Sequence, residues 1–446
     1  MAGPKKNIRY PEIDMLKGLA CALMLIGHAM RVEMPAPTMW HKVLLYIMDF
    51  SGPIFFFVSG MNVMTFLERN RDKPGFDATR FYLAAATLLF FLGYTYNVNR
   101  VSLTFFDIFQ GVAMCTLAVY FLMRSKLPTW AHLVIALLIF LFYTQFRVRL
   151  ELDLVVPTYT ATKAAIPSGA DFMQVAKPIS ELLKQLGPLR RFLFVHFSLL
   201  PWVVFFYVGA LCYRGVTREG AKETPWWILF ATLFVAGPIV HFVDGGRVFK
   251  QMFLDSYLDL MLRGIPSYVL MTLGGAGLSY LLARRFYKGA AAYANKTVAW
   301  LSFQLERLGK ESLLFLVVHW WVIATVNLPL MLIAKRTALG AANDWTEVYL
   351  RALIVLVGTF VSVPWFAQIR ERWSKANAYG VKIGLWMGFS FFCAILLLAV
   401  SPFLSNYATY GMSFGFAFLY PYLRGKLRRK YTQPPPAPAA ASTADC

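Results

Sequence analysis

Three side chains able to transfer protons, His28, His41 and Asp49, lie within or beside apolar stretches near the start of the chain. A polar group in hydrocarbon is costly unless it is paired, so ionisable residues in a membrane segment indicate a functional site. An imidazole can take a proton from a hydroxyl or an amine, and a nearby carboxylate fixes its tautomer. These residue types favour general-base chemistry or a covalent acyl relay through histidine, and the sequence leaves both routes open.

A fourth candidate, His319, lies in the apolar stretch GKESLLFLVVHWWVIATV, between Val318 and two tryptophans. Its distance from Lys310 and Glu311 predicts a position nearer the cytoplasm than that of His28. The remaining histidines, His132, His196 and His241, are interpreted as packing or interfacial residues. The five cysteines are scattered without a metal-binding spacing, so we predict neither a metal site nor a disulfide framework.

The elements that position these residues are predicted from composition. The chain has 446 residues, of which 58% are hydrophobic and 15% are charged. Soluble domains carry about 25% charged residues, so the fold class is an all-α, polytopic membrane helix bundle. A span needs about 20 apolar residues, which predicts eleven or twelve transmembrane helices. They are centred on 13–32, 43–66, 80–98, 104–123, 129–147, 192–213, 226–243, 264–283, 312–334, 347–368, 381–401 and, least strongly, 407–423.

The distribution of Lys and Arg predicts the orientation, because cytoplasmic loops carry an excess of these residues. It places the N-terminus inside, the long loop 148–191 outside, and a Pro/Ala-rich disordered tail, 431–446, inside; residues 1–430 form the membrane domain. The net charge of +21 follows from this topology, and we predict no nucleic-acid binding. A basic inner face attracts anionic lipids and polyphosphorylated ligands. The lack of a cleavable signal and of an extracellular domain favours a bacterial inner membrane.

Helix geometry relates the first candidates to one another. Lys17 and His28 are separated by about 16 Å along the helix axis and by close to three turns, so they share a face. In an antiparallel hairpin, Asp49 would lie at a depth similar to that of His28. For Lys17, the alternative to a functional role is an interfacial lysine that extends to the membrane surface. For His28 and Asp49, the alternative is a structural ion pair or hydrogen bond.

Two stretches of the chain resemble known membrane enzymes. EIDMLKGLACALMLIGHA is similar to the first helix of the acyltransferase type 3 family, with Lys17 where that family usually has Arg. DFSGPIFFFVSGMNVM resembles the heparan-α-glucosaminide N-acetyltransferase family in the placement of Asp49, Pro53 and Gly60. Further similar stretches follow in the family order: TRFYLAAATLLFFLGYTYNV, FDIFQGVAM, HFSLLPWVVFFYVGALCYRG and LGKESLLFLVVHWW.

The resemblance implies a transmembrane acyltransferase. Acyl-CoA, usually acetyl-CoA, would bind from the cytoplasm, and the acyl group would pass to a hydroxyl or amine on the outer side. The acceptor would be a glycan or another carbohydrate or lipid-linked molecule. The CoA phosphates would lie near four basic residues that the predicted topology gathers at the inner mouth, namely Lys17, Arg69, Arg71 and Arg80.

The resemblance offers two candidates for the principal histidine. In the N-acetyltransferase family the catalytic histidine precedes the Asp in a luminal loop, as His41 precedes Asp49 here. We favour His28 because it shares a helix face with Lys17. The competing function is a proton-coupled transporter or flippase, in which the same polar residues would line a pathway; the absence of an internal repeat disfavours it. The sequence does not define the oligomeric state.

Overall fold

The computed structural model describes residues 10–31, 38–70, 73, 75–95, 108–150, 199–217, 222–243, 266–336, 345–376, 378–398 and 402–432. These residues form α-helices joined by turns, with a short 3-10 helix at Ala291–Tyr293. The first half contains α1 Pro11–Arg31, α2 Met39–Asp49, α3 Ser51–Asn70, α4 Ala78–Gly93, α5 Ile108–Met123, α6 Thr129–Leu150 and α7 Trp202–Thr217. The second half contains α8 Thr224–Val243, α9 Pro266–Lys288, α10 Lys296–Lys310, α11 Ser312–Arg336, α12 Trp345–Ser374, α13 Tyr379–Leu398 and α14 Pro402–Lys430.

The predicted all-α membrane fold is confirmed. A helix covers the centre of each predicted span, and six spans among the described residues are long and apolar enough to cross a membrane. A seventh arises if the bent pair α10–α11 counts as one, while α4, α5 and α7 are shorter apolar helices. The protein is therefore an integral membrane helix bundle.

Helix α1 lies at the centre of the bundle, in contact with α2, α3, α9, α10, α11 and α12. It crosses α10 closely at two glycines. A Cβ on Gly18 would lie 1.8 Å from the carbonyl oxygen of Leu305, and a Cβ on Gly309 would lie 1.8 Å from that of Asp14. Small residues allow such backbone approach between membrane helices. The crossing fixes the position of α10, and of α11 after it, relative to α1.

A second close crossing joins α3 to α7. A Cβ on Gly60 would lie 1.9 Å from the carbonyl oxygen of Phe206, and one on Gly209 would lie 2.0 Å from that of Phe57. Gly60 thus leaves room for the backbone of α7, and Gly209 leaves room for the backbone of α3. Since α3 also packs against α1, this crossing ties α7 to the central helix.

The predicted span 43–66 is confirmed as one apolar span, Val43–Asn70, within which the helix assignment is interrupted at Phe50, between α2 and α3. Pro53 has no N–H to donate to the carbonyl of Asp49, four residues earlier, and its ring clashes with a continuing helix there. The hydroxyl of Tyr268 in α9 donates to that carbonyl instead, at 2.9 Å. The Asp–Pro spacing therefore interrupts the helical hydrogen bonds within this span, and another helix satisfies the released carbonyl.

The region 284–310, which connects the predicted spans 264–283 and 312–334, is largely helical. α9 continues to Lys288, and α10 occupies Lys296–Lys310 after the side chain of Asn295 accepts the N–H of Val298 at 2.8 Å. The criterion of about 20 apolar residues fails for a helix with one polar face, such as KTVAWLSFQLERLGK. The chain then turns by 94° into α11.

Other differences concern helix ends. The least strongly predicted span, 407–423, is a longer helix, α14. α6 reaches Leu150, so the first residues of the predicted external loop are helical. The rest of that loop, 151–191, and the tail from residue 433 lie outside the described residues.

One end of the bundle, here called the basic end, gathers the start of α1 and the ends of α3, α7 and α9. Tyr10 packs edge-on against Tyr213 at 5.3 Å, and the hydroxyl of Tyr213 donates to Glu68 at 2.8 Å. Arg284 pairs with Glu12 at 3.5 Å. These contacts bring charged residues at the ends of several helices, namely Glu12, Glu68 and Arg284, to the same end of the bundle.

Candidate active site

The structure brings His28 of α1 and His319 of α11 into contact. The Nδ1 atom of His28 lies 3.2 Å from the Nε2 atom of His319, and the rings stack at 5.4 Å. The ring of His28 also stacks on Trp320 at 4.7 Å. His319 is fully buried. Two histidines separated by 291 residues in the chain thus share one polar contact inside the bundle.

The direction of the hydrogen bonds follows from the partner of His319. Its Nδ1 lies 3.0 Å from the carbonyl oxygen of Phe315, one turn earlier. A carbonyl only accepts, so Nδ1 of His319 carries the proton, and in the neutral ring Nε2 is the acceptor. Nδ1–H of His28 then donates to His319. The tautomer of a neutral His28 is thereby fixed, and its basic lone pair lies on Nε2.

The expected difference in depth between these histidines is wrong. His319 was placed nearer the cytoplasm, yet its ring lies beside that of His28. α11 does not start level with α1: α10 lies across α1 near Gly18, and the 94° turn starts α11 part-way along it. A residue count from the charged end of α11 therefore underestimates how far His319 lies from the cytoplasmic surface.

Asp49 lies at the last position of α2 and is 2% exposed. Its backbone carbonyl accepts the hydroxyl of Tyr268, and α2 packs against α1. Asp49 is therefore buried in the bundle at the point where the helical hydrogen bonds of this span are interrupted. Sequence reasoning did not identify Tyr268 as a partner of this segment, and the only available signal was the Pro53 that releases the carbonyl.

His41 takes a different place, at the start of α2. The backbone N–H of Thr38 donates to Nδ1 of His41 at 3.2 Å, and the Thr38 hydroxyl lies 2.8 Å from the same nitrogen. The ring stacks on Trp345 of α12 at 3.3 Å. Burial lowers the pKa of His41 from its usual value. The residue therefore caps α2 with a neutral imidazole that rests on an aromatic ring.

The basic residues predicted to hold a phosphorylated ligand lie on three helices. Lys17 is half-buried on α1 beside the crossing with α10, and Arg69 is exposed near the end of α3. Arg80 is exposed in the first turn of α4, where its side chain pairs with the helix-capping Asp77 at 3.3 Å. Arg71 lies outside the described residues.

No group of three or more His, Cys, Asp or Glu side chains in the described part of the chain could hold a metal ion. The polar groups around His28 are instead suited to moving protons.

Comparison with protein families decides the class of the protein. A family model described as "heparan-alpha-glucosaminide N-acetyltransferase, catalytic" matches residues 9–241, more than half of the chain. The chain belongs to this family. No curated protein and no solved structure matches it.

The match to the heparan-alpha-glucosaminide N-acetyltransferase family confirms the resemblance drawn from the sequence and makes the protein a transmembrane acyltransferase. The family uses acetyl-CoA as its donor in general. Within the matched residues lie His28, His41 and Asp49. His319 lies beyond them, so the helix that contacts His28 comes from the half of the chain that the family model does not cover.

Proposed function

We propose that this protein transfers an acetyl group from acetyl-CoA, bound from the basic end, to an amine or hydroxyl of a glycan at the opposite side of the membrane. The observation that carries the proposal is the directed contact between His28 and His319. The family name indicates an amino sugar of the glucosamine type as the acceptor. A lipid-linked carbohydrate fits the membrane setting equally well.

His28 acts as the general base. Its Nε2 removes the proton from the acceptor nitrogen or oxygen as that atom attacks the thioester carbonyl. The new C–N or C–O bond forms, the C–S bond breaks, and CoA leaves as a thiolate that recovers the proton from His28. In the covalent variant of this route, Nε2 attacks the thioester first, the C–S bond breaks and the CoA thiolate leaves. The acceptor then attacks the acetyl-imidazole, the bond between the acetyl carbon and Nε2 breaks, and the acceptor's proton passes through the imidazole to the thiolate.

His319 is a positioning residue. It accepts Nδ1–H of His28 and is itself oriented by the carbonyl of Phe315. This chain of hydrogen bonds holds the ring of His28 and stabilises the imidazolium that forms during transfer, as an acceptor behind a catalytic histidine does. Asp49, a carboxylate buried in the neighbouring α2, supplies negative charge that favours the same imidazolium.

Lys17, Arg69, Arg71 and Arg80 attract the phosphates of the donor at the basic end. With the N-terminus in the cytoplasm, this end faces the cytoplasmic pool of acetyl-CoA, and His28 lies towards the outer surface. We place the protein in a bacterial inner membrane, where it would modify a surface glycan.

Purified protein in lipid nanodiscs tests the proposal. Acetyl-CoA labelled in the acetyl group is mixed with glucosamine, and mass spectrometry detects the acetylated sugar while a thiol reagent detects free CoA. We expect both products in equal amounts, and neither with His28→Ala. His241→Gln is the matched control, since this histidine lies at the end of α8 and should leave turnover unchanged.

Reconstitution into sealed vesicles separates the proposal from its competitor. Acetylated sugar inside vesicles that received acetyl-CoA only outside supports transfer across the membrane. Uptake of unmodified sugar, driven by a proton gradient and without free CoA, would identify a proton-coupled transporter and overturn the acyltransferase mechanism.

A further inference from the structure

The last turns of α14, a helix that lies beyond the residues that the family model covers, dock on the connection between α3 and α4. The backbone N–H of Asp77 donates to the carbonyl of Tyr431 at 3.0 Å. The guanidinium of Arg428 donates to the side-chain oxygen of Asn70 at 3.3 Å. Asn70 is 1% exposed, so this contact fixes the end of α14 against the body of the protein.

Two guanidinium groups of α14 meet over one ring of α3. Arg424 and Arg428 are four residues apart and therefore share a face of the helix. Their Cζ atoms lie 5.5 Å and 5.7 Å from the centre of the Phe66 ring. Cation–π contacts favour each guanidinium individually, but like charges on one helix face repel each other. An anion between them would remove that repulsion.

A third cation, Lys73, lies exposed in the connection between α3 and α4 on which α14 docks. Partial burial, followed by the charge of Arg428, lowers the pKa of Lys73. The carboxylate of this segment, Asp77, is bound to the backbone N–H of Arg80 at 3.0 Å and to its side chain at 3.3 Å. The arrangement therefore concentrates positive charge at a fixed point on the basic end.

We propose that Arg424, Arg428 and Lys73 form a binding site for phosphate groups, here called the α14 anion site. Planar guanidinium forks match phosphate oxygens, and two of them side by side suit a diphosphate or a phosphate monoester. One source of this chemistry is the phosphorylated end of the donor, which rests on the proposed function. The other source is an anionic lipid head group at the same membrane surface.

Full-length protein in phosphatidylcholine nanodiscs tests the donor source. CoA binding is measured by calorimetry for the parent and for Arg424→Gln/Arg428→Gln, with pyrophosphate as a competitor. Loss of two charge-assisted contacts should weaken CoA binding by about tenfold or more. The control, Lys426→Gln/Arg429→Gln, removes the same charge from the same helix end and should change affinity less than about twofold.

A second arm tests the lipid source in nanodiscs that contain phosphatidylglycerol. If the head group is the ligand, this lipid raises the melting temperature of the parent and of the control but not that of Arg424→Gln/Arg428→Gln. Selective loss in either arm supports the α14 anion site and identifies its source. Equal CoA affinity and equal lipid stabilisation in all three proteins would overturn it. These readouts need no turnover, so a parent that binds pyrophosphate through α14 but transfers no acetyl group would refute only the proposed function.

Discussion

Two fully buried histidines, His319 and His132, belong to hydrogen-bonded pairs between helices, yet the pairs differ in kind. In α6, Nδ1 of His132 contacts the hydroxyl of Tyr207 from α7, and its Nε2 lies 3.5 Å from the hydroxyl of Ser125. In α11, Nδ1 of His319 donates to the carbonyl of Phe315, and its Nε2 faces His28 of the central helix. Both pairs satisfy buried polar groups.

The difference lies in where each chain of hydrogen bonds ends. The Ser125 hydroxyl donates to the carbonyl of Leu122 at 2.8 Å, so it accepts Nε2–H of His132, and Nδ1 of His132 accepts the hydroxyl of Tyr207. The carbonyl of Phe315 likewise fixes the proton of His319 and, through it, the proton of His28, whose basic lone pair lies on Nε2. Burial, hydrogen bonding and a fixed tautomer therefore do not by themselves distinguish a catalytic histidine from a structural one. In the proposed mechanism the distinction is that Nε2 of His28 takes the proton of the acceptor.

The largest contrast between the two pairs should appear in turnover. We expect His28→Ala to lower the rate of acetyl transfer by about 10²- to 10⁴-fold, because the general base is lost. Binding of acetyl-CoA should remain close to that of the parent. Single-turnover acetyl transfer and calorimetry on folded protein measure the two quantities.

His41→Ala is the internal control for this first prediction, because His41 caps α2 and rests on Trp345. Its transfer rate per folded molecule should stay within about tenfold of the parent's, because a lost cap costs about 0.5–2 kcal/mol of stability and removes no general base. A large loss in rate for His41→Ala and a small one for His28→Ala would make His41 the principal histidine.

His319 should show an intermediate effect that depends on the replacement. His319→Leu leaves Nδ1–H of His28 without its acceptor, a cost of about 1–3 kcal/mol. Expressed at the transition state, this corresponds to a loss in rate of about 5- to 150-fold. His319→Gln retains an acceptor oxygen and should lose less. Equal rates for the two variants would show that His319 only fills space.

A change at the α3–α7 crossing should affect stability rather than chemistry. Gly60→Ala places a Cβ against the backbone of α7 and should destabilise the fold by about 1–3 kcal/mol through overpacking. Thermal unfolding in detergent measures the loss, and transfer per folded molecule should stay near the parent's. Gly384→Ala is the matched control, since a Cβ there meets nothing within 4 Å. Equal melting temperatures for both variants would contradict the close crossing.

An effect on stability alone is also expected at the second histidine pair. His132→Phe leaves the buried hydroxyl of Tyr207 without this partner and should cost about 1–3 kcal/mol of stability. His132→Phe/Tyr207→Phe should cost less than the sum of the single changes, because neither polar group then remains buried alone. Loss of turnover in folded His132→Phe would remove the distinction between the two pairs.

The sequence predicted well what depends on local composition. Apolar runs of about 20 residues located the helices, and the stretch around Asp49, Pro53 and Gly60 carried the family resemblance that the family model confirms. Gly60 also has a packing reason, since it admits the backbone of α7.

What the sequence could not supply depends on packing between distant segments. The contact of His28 with His319 needs the α1–α10 crossing at Gly18 and Gly309 and the turn after α10, and no local pattern encodes that geometry. α10 was not predicted because its charged residues lower its mean hydropathy, and the prediction rests on runs of apolar residues. The assignment of His28 as base and of the basic residues as donor contacts stays a prediction.

A double-mutant cycle of His28→Ala and His319→Leu, measured as single-turnover acetyl transfer in nanodiscs, tests the central claim most directly. If His319 acts only by orienting His28, then His319→Leu should cost nothing further, within about twofold, in protein that already carries His28→Ala. Losses that multiply would show that the two histidines act independently. Parental turnover in His28→Ala would remove His28 from the mechanism.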